Sequence, residues 1–384
     1  MRRPNKFLYI VLNHLARLYT KLVKNHHFHN PHKVKIAEPS IIISNHTSFF
    51  DFLYVMWAAR TKPVNFVVAR KYYETKPLSR ILKLANAIPK SLFQPDLSAV
   101  KSILTILDQK GIVSIFPEGQ ISATGITLPF PSGIGKLVKK SAVHVYSLKT
   151  TGAYLKDPPW TKTPRKGRID SYLDLILSPE AIKNLSVEEI EKILYQAIYT
   201  NPYYEEYVNL FKGKNLARDL DKLLYICPNC QAEGKMHSDG DYLICEECKS
   251  NFLVTASGRL KLNNNEWTLA EAYQKQRDYE KKQILTKENY QFCLDVKVES
   301  IVDFKYAIVS KGILTITKDD IIYQSEDKYQ FSMKSTNVRY VPFDNGRNFQ
   351  IYRENMIYQF MPQKPYLCSK ATNIIEVIYE INNP

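Results

Sequence analysis

Short apolar runs and helix-like patterns alternate along the first half of the chain. Ile41–Ile43 and Ile112–Phe116 are almost entirely apolar and rich in β-branched residues, which is typical of strands buried on both faces of a sheet. Phe49–Trp57 and Ser98–Gln109 have the length and apolar pattern of helices. Strands that alternate with helices in this way predict an α/β domain, which we expect to cover residues 41–214.

One amphipathic helix is predicted near the start, over Phe7–Lys24. Its apolar stripe consists of Leu8, Leu12, Leu15, Tyr19 and Leu22, while Lys6, Arg17, Lys21 and Lys24 cluster opposite, with Ile10 as the apolar exception. Such a helix either lies in the headgroup region of an anionic membrane or docks on its own domain. The pattern alone favours neither.

A histidine-rich segment follows this helix, with histidines at His26, His27, His29 and His32. Metal ligation is one interpretation, but ligand sets usually come with a defined spacing on ordered elements. We therefore predict a polar linker.

The pattern changes to alternating strands in the last quarter of the chain. A capping box at Thr268 and Glu271 opens a charged helix, which we interpret as a connector over residues 266–288. Beyond it the predicted strands are Leu294–Val298, Tyr306–Val309, Gly312–Thr317, Asp320–Gln324, Tyr329–Met333, Asn337–Tyr340, Phe349–Tyr352 and Met356–Phe360, with a closing helix over Ser369–Glu380. This mainly-β domain with a terminal helix, residues 290–384, resembles pleckstrin-homology (PH) or GRAM domains.

Two candidate chemical groups stand close together after the first apolar strand. His46 and Asp51 are five residues apart, so on one continuous helix their side chains would point about 140° apart. They can meet only if His46 lies in the turn and the helix starts after it. Asp51 would then fix the tautomer of His46 and leave the other ring nitrogen free to take a proton.

A second polar turn ends the strand over Ile112–Phe116. Pro117 stops that strand, and Glu118 and Gly119 follow at once. A carboxylate and a flexible glycine at the end of a strand suit an active-site loop.

The segments NHTSFFD (Asn45–Asp51) and FPEG (Phe116–Gly119) together resemble the motifs of the glycerolipid acyltransferase family, typified by 1-acylglycerol-3-phosphate acyltransferases. The resemblance covers roughly residues 1–200 and depends on both motifs at this separation. It implies transfer of a fatty acyl group from acyl-CoA or acyl carrier protein to a hydroxyl of a lysophospholipid, in phospholipid biosynthesis. His46 would be the general base and Asp51 its orienting partner.

The resemblance also suggests residues that bind the acceptor. Glu118 would position the glycerol, and Gly119 would let the backbone approach the ligand. The family has an arginine that contacts the acceptor phosphate where this chain has Lys90; Lys90 and Arg70 are the basic residues available for that contact.

After FPEG, the family expects Thr-Arg, whereas this chain has Gln120 and Ile121. This loss of a phosphate contact leaves the acceptor headgroup open. It also motivates an alternative from another class, a non-catalytic adaptor that binds lipid or nucleic acid on an acyltransferase scaffold. The intact His46, Asp51 and Glu118 favour the enzyme.

Four cysteines form two CxxC pairs, Cys227 with Cys230 and Cys245 with Cys248. Four thiolates at this spacing can close a tetrahedral shell, so we predict a structural zinc ribbon over residues 220–262. Redox chemistry is the weaker alternative, because it does not need the second pair. The acidic residues of the stretch, Glu233, Asp239, Asp241, Glu246 and Glu247, argue against nucleic acid as its partner.

Charge and cysteine usage bear on the location of the protein. The net charge is +15 and the pI about 9.3, which implies anionic partners. Residues 1–40, which we interpret as a membrane-association segment, have the basic residues Arg2, Arg3, Lys6, Arg17, Lys21, Lys24, Lys33 and Lys35 against Glu38. With neither a signal peptide nor an apolar run of membrane-spanning length, we expect a cytoplasmic protein, peripheral on the inner face of the cell membrane.

Overall fold

The structure is a computed structural model that describes residues 1–92, 95–130, 133–163, 165–203, 211–302, 305–327, 329–353 and 356–383. The chain divides into two compact units. The first unit comprises Met1–Pro159 and Pro164–Lys212, and the second comprises Trp160–Thr163 and Gly213–Pro384. The first therefore holds the predicted α/β domain with its amino-terminal helix, and the second holds the cysteine pairs and the β-rich segment.

The first unit is built on a mixed sheet. Its strands, among the residues described, are β1 (His26–His29), β2 (Ser40–Ser44), β3 (Val64–Ala69), β4 (Ile88–Lys90), β5 (Ile112–Ile115), β6 (His144–Thr151) and β7 (Ile169–Leu177), in the order β1-β7-β6-β2-β5-β3-β4. The pairings β6-β2, β2-β5, β5-β3 and β3-β4 are parallel, and β7 runs antiparallel to β6. The carboxyl ends of the parallel strands thus share one edge, where α/β proteins bind their ligands.

Helices cover both faces of this sheet. They are α1 (Lys6–Leu22), α2 (Asp51–Ala59), α3 (Arg70–Glu74), α4 (Leu78–Leu84), α5 (Leu97–Asp108), α6 (Ile134–Ser141), α7 (Ala153–Lys156), α8 (Pro179–Asn184) and α9 (Val187–Ile198). Ile41 and Ile43 pack into a core with α5, α6 and α9, whereas Ile42 packs into a core with α1 and α2. Two buried faces explain why β2 is apolar at consecutive positions.

Helix α1 docks on its own unit through a face different from the predicted stripe. Tyr9, Asn13, Ala16 and Thr20 are its buried residues, and the Asn13 amide donates to the backbone oxygens of Met56 and Arg60. The stripe is left open: Leu12, Leu15, Tyr19 and Leu22 are exposed. Neither α1 nor any other described helix has the length and apolar content that crossing a bilayer needs.

The prediction of a polar linker at the histidine-rich segment was wrong, because His26–His29 forms strand β1. It pairs in parallel with β7, starting with His26 opposite Ile169. His26 is buried, its Nε2 lies 2.6 Å from Ser171 Oγ, and its ring packs against Tyr54. Burial lowers the pKa of His26 to about 3. The local pattern missed this strand because its partner is more than 140 residues away.

The second unit begins with a small antiparallel sheet. Its strands are β8 (Met236–Asp239), β9 (Tyr242–Cys245), β10 (Asn251–Val254), β11 (Arg259–Leu262) and β12 (Asn265–Thr268), in the order β12-β11-β10-β9-β8. Helix α10 (Leu269–Thr286) follows, with the expected capping box at Thr268 and Glu271. Although we interpreted α10 as a connector, it packs into the unit with buried residues that include Tyr273, Gln276 and Glu280.

The remainder of the second unit is a larger antiparallel sheet closed by a helix. Its described elements are β13 (Gln291–Val302), β14 (Lys305–Thr317), β15 (Asp320–Ser325), β16 (Gln330–Lys334), β17 (Phe343–Asp344), β18 (Asn348–Arg353), β19 (Met356–Pro362) and α11 (Leu367–Asn382), with strand order β16-β15-β14-β13-β19-β18-β17. The mainly-β region with a terminal helix is thus confirmed. The predicted strand Asn337–Tyr340 was wrong, since a 3₁₀ turn ends at Asn337 and residues 338–340 belong to no helix or strand. The two segments predicted between Tyr306 and Thr317 form one strand.

Candidate functional site

The turn after β2 places His46 at the sheet edge. β2 ends at Ser44 and α2 begins at Asp51, so His46 lies between them. The Asn45 side chain anchors the turn to β6, because its amide donates to Thr150 O at 2.8 Å and its oxygen accepts from the Thr150 N–H at 2.8 Å. Ser44 Oγ donates to Leu148 O at 2.6 Å. The two polar residues that end the strand therefore fix the path of the chain into the turn.

The structure brings His46 and Asp51 together, as the expected turn requires. His46 Nδ1 lies 3.1 Å from Asp51 Oδ2, and the same oxygen accepts the N–H groups of Thr47 and Ser48 at 2.8 and 2.9 Å. Burial raises the pKa of the Asp51 carboxyl, while these three hydrogen bonds oppose the rise. The Asp51 side chain is fully buried and that of His46 is 23% exposed. Nδ1 is thus committed to Asp51, and Nε2 is the ring atom able to take a proton.

Glu118 is buried under the His46 turn. Its Oε1 accepts the backbone N–H of His46 at 2.6 Å, and its Oε2 accepts that of Leu128 at 2.8 Å. The residue is 1% exposed, and burial raises its pKa to about 8. Glu118 therefore joins the His46 turn to a distant loop, rather than offering an open carboxylate to a ligand.

The rest of the FPEG loop wraps around the same turn. The Phe116 ring stacks on His46 with 4.6 Å between centroids, and the Ser122 N–H donates to His46 O at 2.9 Å. Gly119 has φ of 76°, a left-handed conformation that glycine adopts at no steric cost. The loop thus fixes both the ring and the main chain of His46.

Arg70 and Lys90 lie along the same sheet edge at some distance from His46. Arg70 follows β3 directly, Lys90 ends β4, and Ala69 pairs with Lys90 across these strands. β3 and β4 are two and three strands from β2, about 10 and 14 Å at normal strand spacing. Arg70 Nε donates to Ser91 Oγ at 3.0 Å, Lys90 Nζ donates to Ser91 O at 3.1 Å, and burial lowers the pKa of Lys90. The two cations thus lie together, with Arg70 also 3.8 Å from Glu74 and 3.4 Å from Asp96, and we call Arg70 and Lys90 the basic patch.

Sequence reasoning missed several groups of the site. Thr150 and Leu128 act through their backbone groups, and the N–H groups of Thr47 and Ser48 hold Asp51. Backbone groups leave no side-chain signal, so the residue types at these positions could not reveal them.

The four paired cysteines of the second unit form a candidate metal site. Their sulfur atoms all lie within 4.8 Å of one another, with Cys227 Sγ 3.8 Å from Cys248 Sγ and Cys230 Sγ 3.8 Å from Cys245 Sγ. A tetrahedron with zinc–sulfur distances of about 2.3 Å has edges of about 3.8 Å. Two of the six sulfur–sulfur distances therefore equal such an edge, and all four thiols lie close enough together to hold one metal ion.

The backbone around the two CxxC pairs repeats the same fold. Cys227 N–H donates to Ala232 O and Cys245 N–H donates to Ser250 O, each at 3.0 Å and each five residues ahead. The residues that follow the pairs, Gln231 and Lys249, both have left-handed φ, 62° and 57°, which is uncommon for residues other than glycine. Two equivalent turns thus present the four sulfurs to one point.

Comparisons with known proteins agree on the first unit. The family model described as Acyltransferase matches residues 25–150. The chain is 33% identical over 121 residues to the 1-acyl-sn-glycerol-3-phosphate acyltransferase of Limnanthes alba, a match that covers 30% of this chain and 42% of the relative. It is 29% identical over 133 residues to the enzyme of that name from Cocos nucifera, covering 34% and 42%. The match thus spans less than half the length of these curated relatives.

A solved structure was also found, the crystal structure of the 1-acyl-sn-glycerophosphate (LPA) acyltransferase PlsC from Thermotoga maritima. It shares 18% sequence identity with a TM-score of 0.44, covering 50% of this chain and 77% of that one. The family-model match contains both His46 and Glu118 with the strands that position them. The amino-terminal part of this chain, over residues 25–150, thus matches the Acyltransferase family model and is similar in sequence to 1-acyl-sn-glycerol-3-phosphate acyltransferases.

Proposed function

We propose that the protein transfers a fatty acyl group from a thioester, acyl-CoA or acyl carrier protein, to a free hydroxyl of a lysophospholipid. The observation that carries this proposal is the pair formed by His46 Nδ1 and Asp51 Oδ2 at 3.1 Å, at the edge of the sheet. A base with a fixed tautomer and a partly exposed ring, 23% for the His46 side chain, is what acyl transfer to a hydroxyl needs.

In the proposed reaction, His46 Nε2 takes the proton of the acceptor hydroxyl while the oxygen attacks the thioester carbonyl. The new C–O ester bond forms, the C–S bond breaks, and the proton on His46 passes to the departing thiolate. Asp51 stabilises the imidazolium in between, because its Oδ2 is held by the N–H groups of Thr47 and Ser48 and cannot turn away. No acyl-enzyme intermediate is required.

The acceptor phosphate would lie on the basic patch of Arg70 and Lys90. Arg70 is already oriented by Ser91 and Asp96, so its guanidinium is held in place before a ligand arrives. This chain has Gln120 and Ile121 where the family has Thr-Arg, and the patch would supply the missing cation. Lysophosphatidate is the acceptor to test first.

The protein would act at an anionic membrane surface through α1. Leu15, Leu18 and Leu22 are 59%, 56% and 70% exposed, and basic residues outnumber acidic ones eight to one over residues 1–40. An exposed apolar stripe with nearby cations suits a helix lying in the headgroup region.

In the second unit we propose a structural zinc ion held by Cys227, Cys230, Cys245 and Cys248. It would cross-link the two turns and stabilise the small sheet, and four protein ligands would leave no open position for catalysis. In the larger sheet, β13 to β16 form a four-strand meander and β17 to β19 form a three-strand meander, and the two meet where β13 pairs with β19. This arrangement supports the PH or GRAM resemblance, which stays a prediction.

The test uses the purified full chain with long-chain acyl-CoA and a panel of lysophospholipids, with products identified by mass spectrometry. We expect His46→Ala to lower turnover by at least about 10²-fold, the lower end of the range for losing a general base. His27→Ala is the matched control, because His27 is an exposed histidine of β1, and its turnover should match that of the wild type. Undiminished turnover in His46→Ala, or no product with any acceptor, would refute the proposal.

A further inference from the structure

An aromatic ridge, which we define as Phe49, Phe50, Phe52 and Phe66, runs beside the His46 turn. Successive rings meet edge to face: Phe49 and Phe50 at 5.6 Å, Phe49 and Phe52 at 6.3 Å, and Phe52 and Phe66 at 6.2 Å between centroids. Phe49 is 53% exposed and Phe52 is 37% exposed. Phenylalanine is usually buried, so two adjacent open rings three and six residues from the candidate base call for an explanation.

One end of the ridge meets the carboxyl-terminal part of α1. The Tyr19 ring lies 6.2 Å from that of Phe50, and Lys24 Nζ lies 3.7 Å from the Phe50 centroid. The neighbouring Leu22 and Val23 are 70% and 57% exposed. The exposed residues of α1 and the aromatic ridge therefore meet where Tyr19 packs against Phe50, with the Lys24 ammonium beside them, and exposed apolar patches bordered by charge mark interaction sites.

The other end of the ridge points along the sheet toward the basic patch. Phe66 belongs to β3, and Arg70 comes four residues later, directly after this strand. Exposed leucines on α1, open aromatic rings close to His46 in the chain, and cations directly after β3 together match the layout of a lysophospholipid, which has one acyl chain and one phosphate.

We propose that the aromatic ridge lies against the acyl chains of the bilayer and guides the acyl chain of the acceptor lipid from the membrane to His46. This inference rests on the proposed function for the identity of the lipid. The excess of cations over residues 1–40 favours an anionic lipid surface rather than a protein as the occupant. The acceptor would then reach the base without leaving the lipid phase.

A first experiment reads contact with lipid without using turnover. Phe49→Trp is mixed with vesicles of phosphatidylcholine and phosphatidylglycerol whose acyl chains are brominated, and the loss of tryptophan emission is compared with that of the wild type. Leu285→Trp is the matched control, because Leu285 is a 57% exposed leucine at the end of α10. We expect the added emission of Phe49→Trp to be quenched and that of Leu285→Trp to persist. Equal quenching of the two, or no binding of the full chain to these vesicles, would overturn the proposal.

A second experiment separates the acceptor from the acyl donor. Phe49→Ser and, as a second variant, Phe52→Ser are assayed with a long-chain lysophosphatidate in vesicles and with a short-chain one in solution, each with long-chain and with short-chain acyl-CoA. We expect the loss with the long-chain acceptor to exceed the loss with the short-chain acceptor by about tenfold, because a lipid chain loses contact with one phenyl ring. A loss of activity that depends on the chain length of acyl-CoA instead, or that is the same with both acceptors, would overturn the proposal. If the Phe49→Trp emission is quenched but no acyl transfer is found, the aromatic ridge contacts lipid and only the proposed function is refuted.

Discussion

Replacing Glu118 by glutamine tests whether this carboxylate acts through the His46 turn or on the acceptor. The carboxylate accepts two backbone N–H groups, one on each oxygen, from His46 and Leu128. Both oxygens of the Glu118 carboxyl can accept a hydrogen bond whether the group is ionised or protonated, whereas glutamine keeps the shape but has a single acceptor, and its NH₂ group would face the second N–H. One buried donor is then left without a partner.

The cost can be worked from these two contacts. An unpaired buried N–H costs about 1–3 kcal/mol, so we expect Glu118→Gln to lower the free energy of unfolding by roughly 2 kcal/mol at pH 5. The catalytic effect follows from the position of His46, because a displacement near 1 Å at a reacting group can lower the rate by about 10²-fold. We therefore expect kcat to fall by roughly ten- to a hundredfold, with KM for the acceptor changed little.

The pKa of Glu118 adds a dependence on pH whose sign can be derived. Burial raises it from 4.5 to about 8, so between these values the folded wild type binds a proton that the unfolded chain has lost. This contribution is fully present below about pH 4.5 and declines as the pH rises toward 8, by at most about 1.4 kcal/mol per pH unit. Glutamine does not titrate, so the advantage of the wild type, roughly 2 kcal/mol at pH 5, should fall to zero between about pH 6 and 7 and change sign by pH 8.

The assay combines urea unfolding at several pH values with acceptor kinetics. Glu188→Gln is the matched control, because Glu188 is exposed in the first turn of α9 and should change the unfolding free energy by less than about 0.5 kcal/mol. A raised KM with unchanged kcat would show that Glu118 contacts the acceptor, as the resemblance implies. Wild-type stability together with wild-type kcat would refute the reasoning from the two backbone contacts.

Two further predictions concern the second unit. We expect elemental analysis to find about one zinc ion per chain. A chelator, or the substitution Cys230→Ser, should lower the thermal unfolding temperature of the second unit. A chain that contains no metal and unfolds at the same temperature with and without chelator would contradict the zinc site. Arg277→Met should lower the free energy of unfolding by roughly 2–3 kcal/mol, since Arg277 lies 3.0 Å from the partly buried Glu376 carboxylate. Lys281→Met, at an exposed position of the same helix, should have little effect. Equal unfolding free energies for the two variants would exclude a structural role for the ion pair.

The sequence predicted the elements whose signals are local. β2 and β5 were visible as apolar runs, and the turn with His46 followed from the requirement that His46 and Asp51 meet. The spacing of the cysteines likewise predicted four sulfurs around one point. In each case the residues that define the feature are neighbours in the chain, or repeat a short motif.

What the sequence could not predict depends on distant partners. β1 reads as a polar linker until β7 pairs with it, and burial of His26 against Ser171 and Tyr54 follows only from that pairing. The face of α1 that docks was also missed, because small and polar residues such as Asn13 and Ala16 pack on the unit while leucines stay open. Helical periodicity identifies an apolar stripe but does not say whether protein or lipid covers it.

The position of Glu118 links these two kinds of information. As a residue type in the FPEG motif it suggests a ligand contact, yet each of its oxygens accepts a backbone N–H, and its surface is 1% exposed. The same carboxylate therefore ties the turn after β2 to the loop after β5, two segments that the sheet brings to one edge. Glu118 can hold the main chain of His46 only if the two residues lie at a fixed separation in space. This explains why NHTSFFD and FPEG predict the site when they occur together and predict little when either occurs alone.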